Sequence, residues 1–155
     1  MQLTEEQIEK LRQSEIRLDA EGRFWHEGAE VTHAGMREAF YRWLDRNLDG
    51  RYVLRLDERR FVYLNVDDAP YSIRSLRWVG DRAFLRVSDD VEEELNYSSL
   101  HLREGIAYCQ VQRKEKQFDA RFSTAAWNVL ADHIRADEAG VALAAAGRYF
   151  AIGSR

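Results

Sequence analysis

Asn65-Val66-Asp67-Asp68-Ala69-Pro70-Tyr71 holds the only proline of the chain and lies near its middle. An apolar run ending Arg60-Phe61-Val62-Tyr63-Leu64 precedes it, and Tyr71 to Trp78 follows. Proline fixes its own φ and pushes the residue before it towards extended geometry. The stretch therefore reads as a rigid bend between two β-rich regions, and it divides the chain into parts 1–70 and 71–155.

Upstream, Thr4-Glu5-Glu6-Gln7 reads as a capping box opening a helix with Ile8 and Leu11 on one side. Ile16 and Leu18 alternate with charged neighbours, and Arg23 to His26 is the return strand after Ala20-Glu21-Gly22. Thr32 is the expected N-cap of a helix over about 33–45, with Met36, Phe40, Trp43 and Leu44 at helical spacing. Gly50 is expected to close it. Alternating residues from Tyr52 to Leu56 and from Phe61 to Val66 then form a hairpin.

Downstream, Tyr71 to Val79 and Arg82 to Val87 form a hairpin across Gly80-Asp81. The alternation slips between Ile73 and Leu76, which predicts a bulge. The acidic run Ser88 to Asn96 reads as a loop or one helical turn. Strands follow at Leu100 to Leu102, Ile106 to Val111 and Gln117 to Phe122. Ser123 caps a helix carrying Trp127, Leu130, Ala131 and Ile134, Gly140 is expected to stop it, and Val141 to Ala145 pairs with Tyr149 to Ile152.

Residues Ile16 to Leu64 and Leu100 to Ile152 thus share one order: hairpin, capped amphipathic helix, glycine, hairpin. Thr32 to Gly50 and Ser123 to Gly140 differ in span by one residue. The expectation is an α+β fold of two similar β-β-α-β-β units packed together. Small antiparallel sheets or a partial barrel would carry amphipathic helices, and the strands of Tyr71 to Val87 would bridge the units.

Composition limits the function classes. The chain has 155 residues, 45% apolar and 32% charged, which suits one domain or two small ones and requires no disulfide or metal for folding. A net charge of −4 argues against a general nucleic-acid binder. The most apolar run, Val141 to Ala146, is too short to span a bilayer. The lone Cys109 cannot form an internal disulfide, and Met1 to Glu6 lacks a basic-then-apolar signal pattern. The last two features point to a cytoplasmic protein, and the charge and the short apolar run to one that touches neither nucleic acid nor membrane.

Five motifs occur in order: Gly22-Arg23-Phe24-Trp25-His26-Glu27-Gly28, Asp49-Gly50-Arg51-Tyr52-Val53-Leu54, Val66-Asp67-Asp68-Ala69-Pro70-Tyr71, Arg103-Glu104-Gly105-Ile106-Ala107-Tyr108 and Ala120-Arg121-Phe122-Ser123. Together they resemble the bacterial domain-of-unknown-function family 1285 over residues 16–153. The resemblance implies an α+β fold of repeated motifs in two halves and a ligand-binding or signalling role. It brings no catalytic residues. The run Asp89 to Glu94 is richer in carboxylates than the family's linker, so no site transfers there.

Asp45-Arg46-Asn47-Leu48-Asp49-Gly50 matches the first half of an EF-hand loop, but Leu56 occupies the position of its bidentate glutamate, so a polar helix end is expected instead. Asp67, Asp68, Asp89 and Asp90 could cluster for a divalent metal, the basis of an alternative reading as a metal-dependent hydrolase. Against it, Asp68 suits a turn cap. His26, His33, His101, His133 and Cys109 have no zinc spacing, and Cys109 alternates with Ala107 and Val111 as a buried thiol does. No catalytic residue, metal or cofactor is therefore assigned.

Four Trp, seven Tyr and seven Phe are the remaining signal. Phe40, Trp43 and Trp127 belong to helix faces and read as core. Trp25, Tyr63, Tyr71 and Trp78 lie on strands or beside the bend, where aromatic rings suit a ligand groove or a subunit interface. The expected binding residues are Trp25, His26, Glu27, Tyr63, Asp67, Asp68, Tyr71 and Arg74, in a cleft between the halves, with Arg23 a further candidate for an anion. A non-enzymatic ligand-binding or signalling module is the leading expectation. Its ligand would be a small molecule or a protein, and a structural homodimer joined through strand edges is the third reading.

Overall fold

A computed structural model describes residues 3–154. The chain is α+β and divides into two compact units, Met1–Asp68 and Ala69–Arg155. The division falls inside the Asp68-Ala69-Pro70 bend.

The first unit opens with helix α1, Glu5–Arg12. Its capping box is complete: Thr4 Oγ1 accepts from the Gln7 amide at 3.1 Å, and the Thr4 amide donates to Gln7 Oε1 at 2.9 Å. Acidic residues lie in its first turn and basic ones in its last, matching the helix dipole. The helix buries no residue fully: Ile8 is half-buried and Leu11 is exposed, so Leu11 of the expected stripe does not anchor it. Arg12 instead stacks over Phe61, 4.0 Å from the ring centre.

Strands β1 (Ile16–Leu18), β2 (Phe24–His26) and β3 (Ala29–Glu30) form an antiparallel meander. Glu27 and Gly28 turn β2 into β3 with φ of 51° and 83°. Two successive left-handed residues make the tight hairpin turn whose twist matches the strands, and Gly adopts that geometry without a Cβ clash. Helix α2 (Ala34–Trp43) follows. Its N-cap is His33, whose Nδ1 accepts from the Met36 amide at 3.3 Å, rather than Thr32. Phe40 and Tyr41 pack edge-on against Phe24, with ring centres 5.1 and 5.0 Å apart. Met36, expected on the buried stripe, is 46% exposed.

Leu44 runs directly from the helix into β4 (Leu44–Arg46), which pairs with β5 (Tyr52–Arg55), itself paired with β6 (Phe61–Tyr63). Asn47 to Gly50 is therefore the β4–β5 turn and not a helix end. Gly50, at φ 89°, supplies the left-handed residue of that turn. The last strand, β7 (Asn65–Val66), lies parallel to β1.

The second unit begins with β8 (Tyr71–Val79) and β9 (Arg82–Val87), an antiparallel hairpin whose register slips between Ile73 and Ser75, as the broken alternation predicts. The acidic run is not a loop throughout: Glu92–Glu94 forms β10 against β9. After a 3-10 turn at Tyr97–Ser99 come β11 (His101–Arg103), β12 (Ile106–Arg113) and β13 (Lys116–Phe122). Helix α3 (Thr124–Ala131) is capped by Ser123, whose Oγ accepts from the Ala126 amide at 3.1 Å. Gly140 does not stop this helix. It starts β15 (Gly140–Ala145), after β14 (Ile134–Asp137) and before β16 (Arg148–Ala151) and β17 (Gly153–Ser154).

One seven-stranded sheet runs β10-β9-β8-β13-β12-β11-β17, and a three-stranded sheet runs β14-β15-β16. The sheets are not purely antiparallel, because β13 is parallel to β8 and β17 to β11. The large sheet buries Ile73, Leu85, Val87, Cys109, Phe118 and Ala120 almost completely. Each unit contains the order of three antiparallel strands, a helix, three antiparallel strands, and a last strand parallel to the first: β1 to β7 in one, β11 to β17 in the other.

Candidate anion-binding surface around Trp25

The β1–β2 turn is built on Asp19, which is only 4% exposed. Its Oδ1 accepts from the amides of Glu21 at 3.0 Å and Arg23 at 2.8 Å. Its Oδ2 accepts from Arg23 Nε at 3.0 Å and Trp25 Nε1 at 2.8 Å. Burial alone would raise the carboxyl's pKa, but the donors from Trp25 and Arg23 outweigh it and hold the group below the usual carboxylate range. One buried anion therefore fixes both an indole and a guanidinium.

Trp25 faces Arg17 across β1 and Glu30 across β3 in register, so the three share one face of this sheet. The Arg17 and Arg23 guanidinium carbons lie 5.9 and 5.7 Å from the indole centre, within cation–π range. Arg17 meets Asp67 through Nε, at 3.0 and 2.9 Å from the two oxygens. Its side chain is 51% exposed, and among the described residues its two Nη groups have no hydrogen-bond partner. Arg23 is shared among Asp19, Glu21 and, at 3.9 Å, Glu30. The surface thus presents a fixed, half-buried aromatic ring with two guanidinium groups beside it.

Of the residues expected in a site, Trp25 and Asp67 are joined here through Arg17. His26 and Glu27 lie at the tip of the β2–β3 hairpin, 4.0 Å apart, and strand alternation turns His26 away from the Trp25 face. Tyr63 belongs to a different cluster of the first unit. Its hydroxyl bonds Glu9, which together with burial raises its pKa, and Arg51 stacks 3.3 Å above its ring. Asp68 ends the first unit beyond β7.

Tyr71 and Arg74 lie in the second unit, on β8. Tyr71 is 2% exposed, with Phe118 edge-on at 5.6 Å and Arg113 at 5.3 Å. It is a buried ring of the large sheet, the first of three consecutive buried residues that open β8. Arg74 pairs with Asp90 at 3.1 Å.

Asp67 and Asp68 lie in the first unit, and Asp89 and Asp90 in the second. Asp67, Asp89 and Asp90 are each matched to an arginine, respectively Arg17, Arg113 and Arg74. Among the described residues, no group of three or more His, Cys, Asp or Glu side chains is arranged to hold a metal ion. Asp45 pairs with Arg55, Asn47 bonds the same guanidinium, and Asp49 Oδ1 caps the Arg51 amide at 3.0 Å, so the partial EF-hand match is a hairpin turn. Cys109 is fully buried, and burial pushes its thiol well above the ordinary range. Among the described residues, no helix is long and apolar enough to cross a membrane.

Sequence reasoning missed Asp19 and Arg113. Asp19 had a signal, an aspartate three residues before a turn glycine. Arg113 had none, because its carboxylate partners are remote in the chain.

No known family profile and no curated protein matches the chain. Its architecture does match solved structures. A DUF1285 family protein from Silicibacter pomeroyi DSS-3 superposes with a TM-score of 0.68 over 90% of this chain and 79% of that one, at 16% identity. A DUF1285 family protein from Shewanella baltica OS155 gives 0.62 over 77% and 91%, also at 16% identity. The chain therefore has the fold found in DUF1285 family proteins.

Proposed function

We propose that the chain is a non-enzymatic ligand-binding or signalling module of the bacterial cytoplasm, built from a duplicated unit, and that its ligand is anionic. The carrying observation is the half-exposed Arg17 guanidinium beside Trp25, whose indole the buried Asp19 carboxylate holds in place. A guanidinium presents a fixed fork of donors suited to carboxylate and phosphate, and an aromatic face beside it can stack a planar ligand. The shared pairing order of β1 to β7 and β11 to β17 supports duplication. The single buried Cys109 suits a reducing compartment.

A thermal-shift screen with nucleotides, phosphorylated sugars and small di- and tricarboxylic acids tests the reading. A ligand of the native state raises the melting temperature, and further as its concentration rises above Kd. The expected hit also quenches Trp25 fluorescence and weakens in Arg17→Gln. If no anion shifts the melting point, or if the shift survives Arg17→Gln and Trp25→Phe unchanged, the surface is not the site.

A further inference from the structure

Strand β14 forms one edge of the β14-β15-β16 sheet, and its residues Arg135, Ala136 and Asp137 are exposed. The Ala144 amide donates to the His133 carbonyl at 2.9 Å, and Arg135 lies opposite Ala142. Antiparallel strands alternate between residues that bond the neighbour and residues that bond outward. The main chains of 133, 135 and 137 therefore face β15, while the N–H and C=O of Ile134 and Ala136 face away from the sheet, where the Ile134 carbonyl accepts from Arg135 Nη1 at 3.1 Å.

We propose that β14 pairs antiparallel with β14 of a second copy of this chain, centred on Ala136. In that register Ala136 exchanges both outward hydrogen bonds with Ala136 of the copy. Arg135 then lies opposite Asp137 of the copy, and Asp137 opposite its Arg135. These flanking positions are the non-hydrogen-bonded pairs, where side chains approach most closely. The edge is thus self-complementary in charge about a two-fold axis, and its centre is a residue small enough to leave the approach clear. The pairing joins two three-stranded sheets into one continuous sheet.

The edge strand β10 lacks this property. In β10, self-pairing about Glu93 sets Glu92 against Glu94 of the copy, two like charges. The dimer does not depend on the anion site, which lies in the other unit.

Two measurements test it on the whole chain. Ala136→Cys places thiols across the two-fold axis at a Cα separation of about 5.5 Å, within disulfide reach. Cys109 is fully buried, so the introduced thiol is the accessible one. Mild oxidation is expected to give a covalent dimer on a non-reducing gel, and its absence overturns the proposal. Sedimentation velocity across micromolar concentrations is expected to show a reversible dimer. Arg135→Asp should weaken it roughly tenfold or more by opposing like charges at both pairs, and adding Asp137→Arg should restore it. A wild-type chain that stays monomeric overturns the proposal, as does a dimer indifferent to Arg135→Asp.

Discussion

Arg113 binds Asp89 with two parallel contacts, Nε to Oδ2 at 2.7 Å and Nη2 to Oδ1 at 3.2 Å. The same guanidinium reaches Glu93 Oε1 at 2.7 Å and lies over the Tyr71 ring. Burial opposes the charge on Arg113, but the two carboxylates more than offset it and raise its pKa further above its already high value. The end of β12 is thereby fastened to the β9–β10 turn, although β8 and β13 separate those strands in the sheet order.

Removing the cation leaves two partly buried carboxylates facing each other. Arg113→Met is expected to cost about 3 kcal/mol or more in urea unfolding. Asp89→Asn, which keeps one acceptor, is expected to cost less. Equal small losses would mean that the network is solvated and carries no fastening role.

Asp19→Asn sets an amide donor against donors from Arg23 and Trp25. The expected loss is about 2–4 kcal/mol, with increased solvent quenching of Trp25 fluorescence. An unchanged unfolding midpoint would remove Asp19 as the fixed point of the candidate surface.

The lowered pKa of Asp19 sets the sign of a pH effect. Its ionised form is favoured in the folded chain, so its contribution is complete above the unfolded value, about 3.9, and is lost as pH falls through the folded pKa. Glu92, lowered first by its hydrogen bond from Arg77, acts in the same direction. Urea midpoints should fall steeply below about pH 4 in the wild type. The fall should be shallower in Asp19→Asn.

Tyr97 Oη accepts from the Ala83 amide at 3.0 Å and donates to Glu94 Oε2 at 2.6 Å. Burial first, then the Glu94 carboxylate, push its phenol up to about 12. Its stabilising share is present below the ordinary value of 10.0 and lost as pH rises through the folded one. Ultraviolet titration should find one tyrosine ionising near 12 that disappears in Tyr97→Phe.

The Cys109 thiol is expected to stay unreactive towards an aromatic disulfide reagent in native buffer and to react once in urea. Its exchange rate should track opening of the large sheet, since the thiolate is disfavoured by burial. Fast native labelling would contradict the packing of β12.

The candidate surface was only half legible in the sequence. Trp25 and Asp67 could be named as polar and aromatic neighbours of turns, yet what joins them is Arg17, on a strand paired with both β2 and β7. Tyr71 read as a ligand ring because it follows the proline bend. Its burial depends on Phe118 and Arg113, residues that local periodicity cannot place beside it.

By itself the sequence determined the elements whose information is local. The capping box at Thr4, the Ser123 cap, the β8–β9 hairpin with its slipped register and the Xaa-Gly turns all depend on residues within a few positions of each other. Tertiary structure decided the parallel pairings of β1 with β7, β8 with β13 and β11 with β17. It also decided that Leu44 and Ile134 leave their helical stripes for strands. Such pairings close long loops and are selected by burial of whole faces at once, so no short window of residues encodes them.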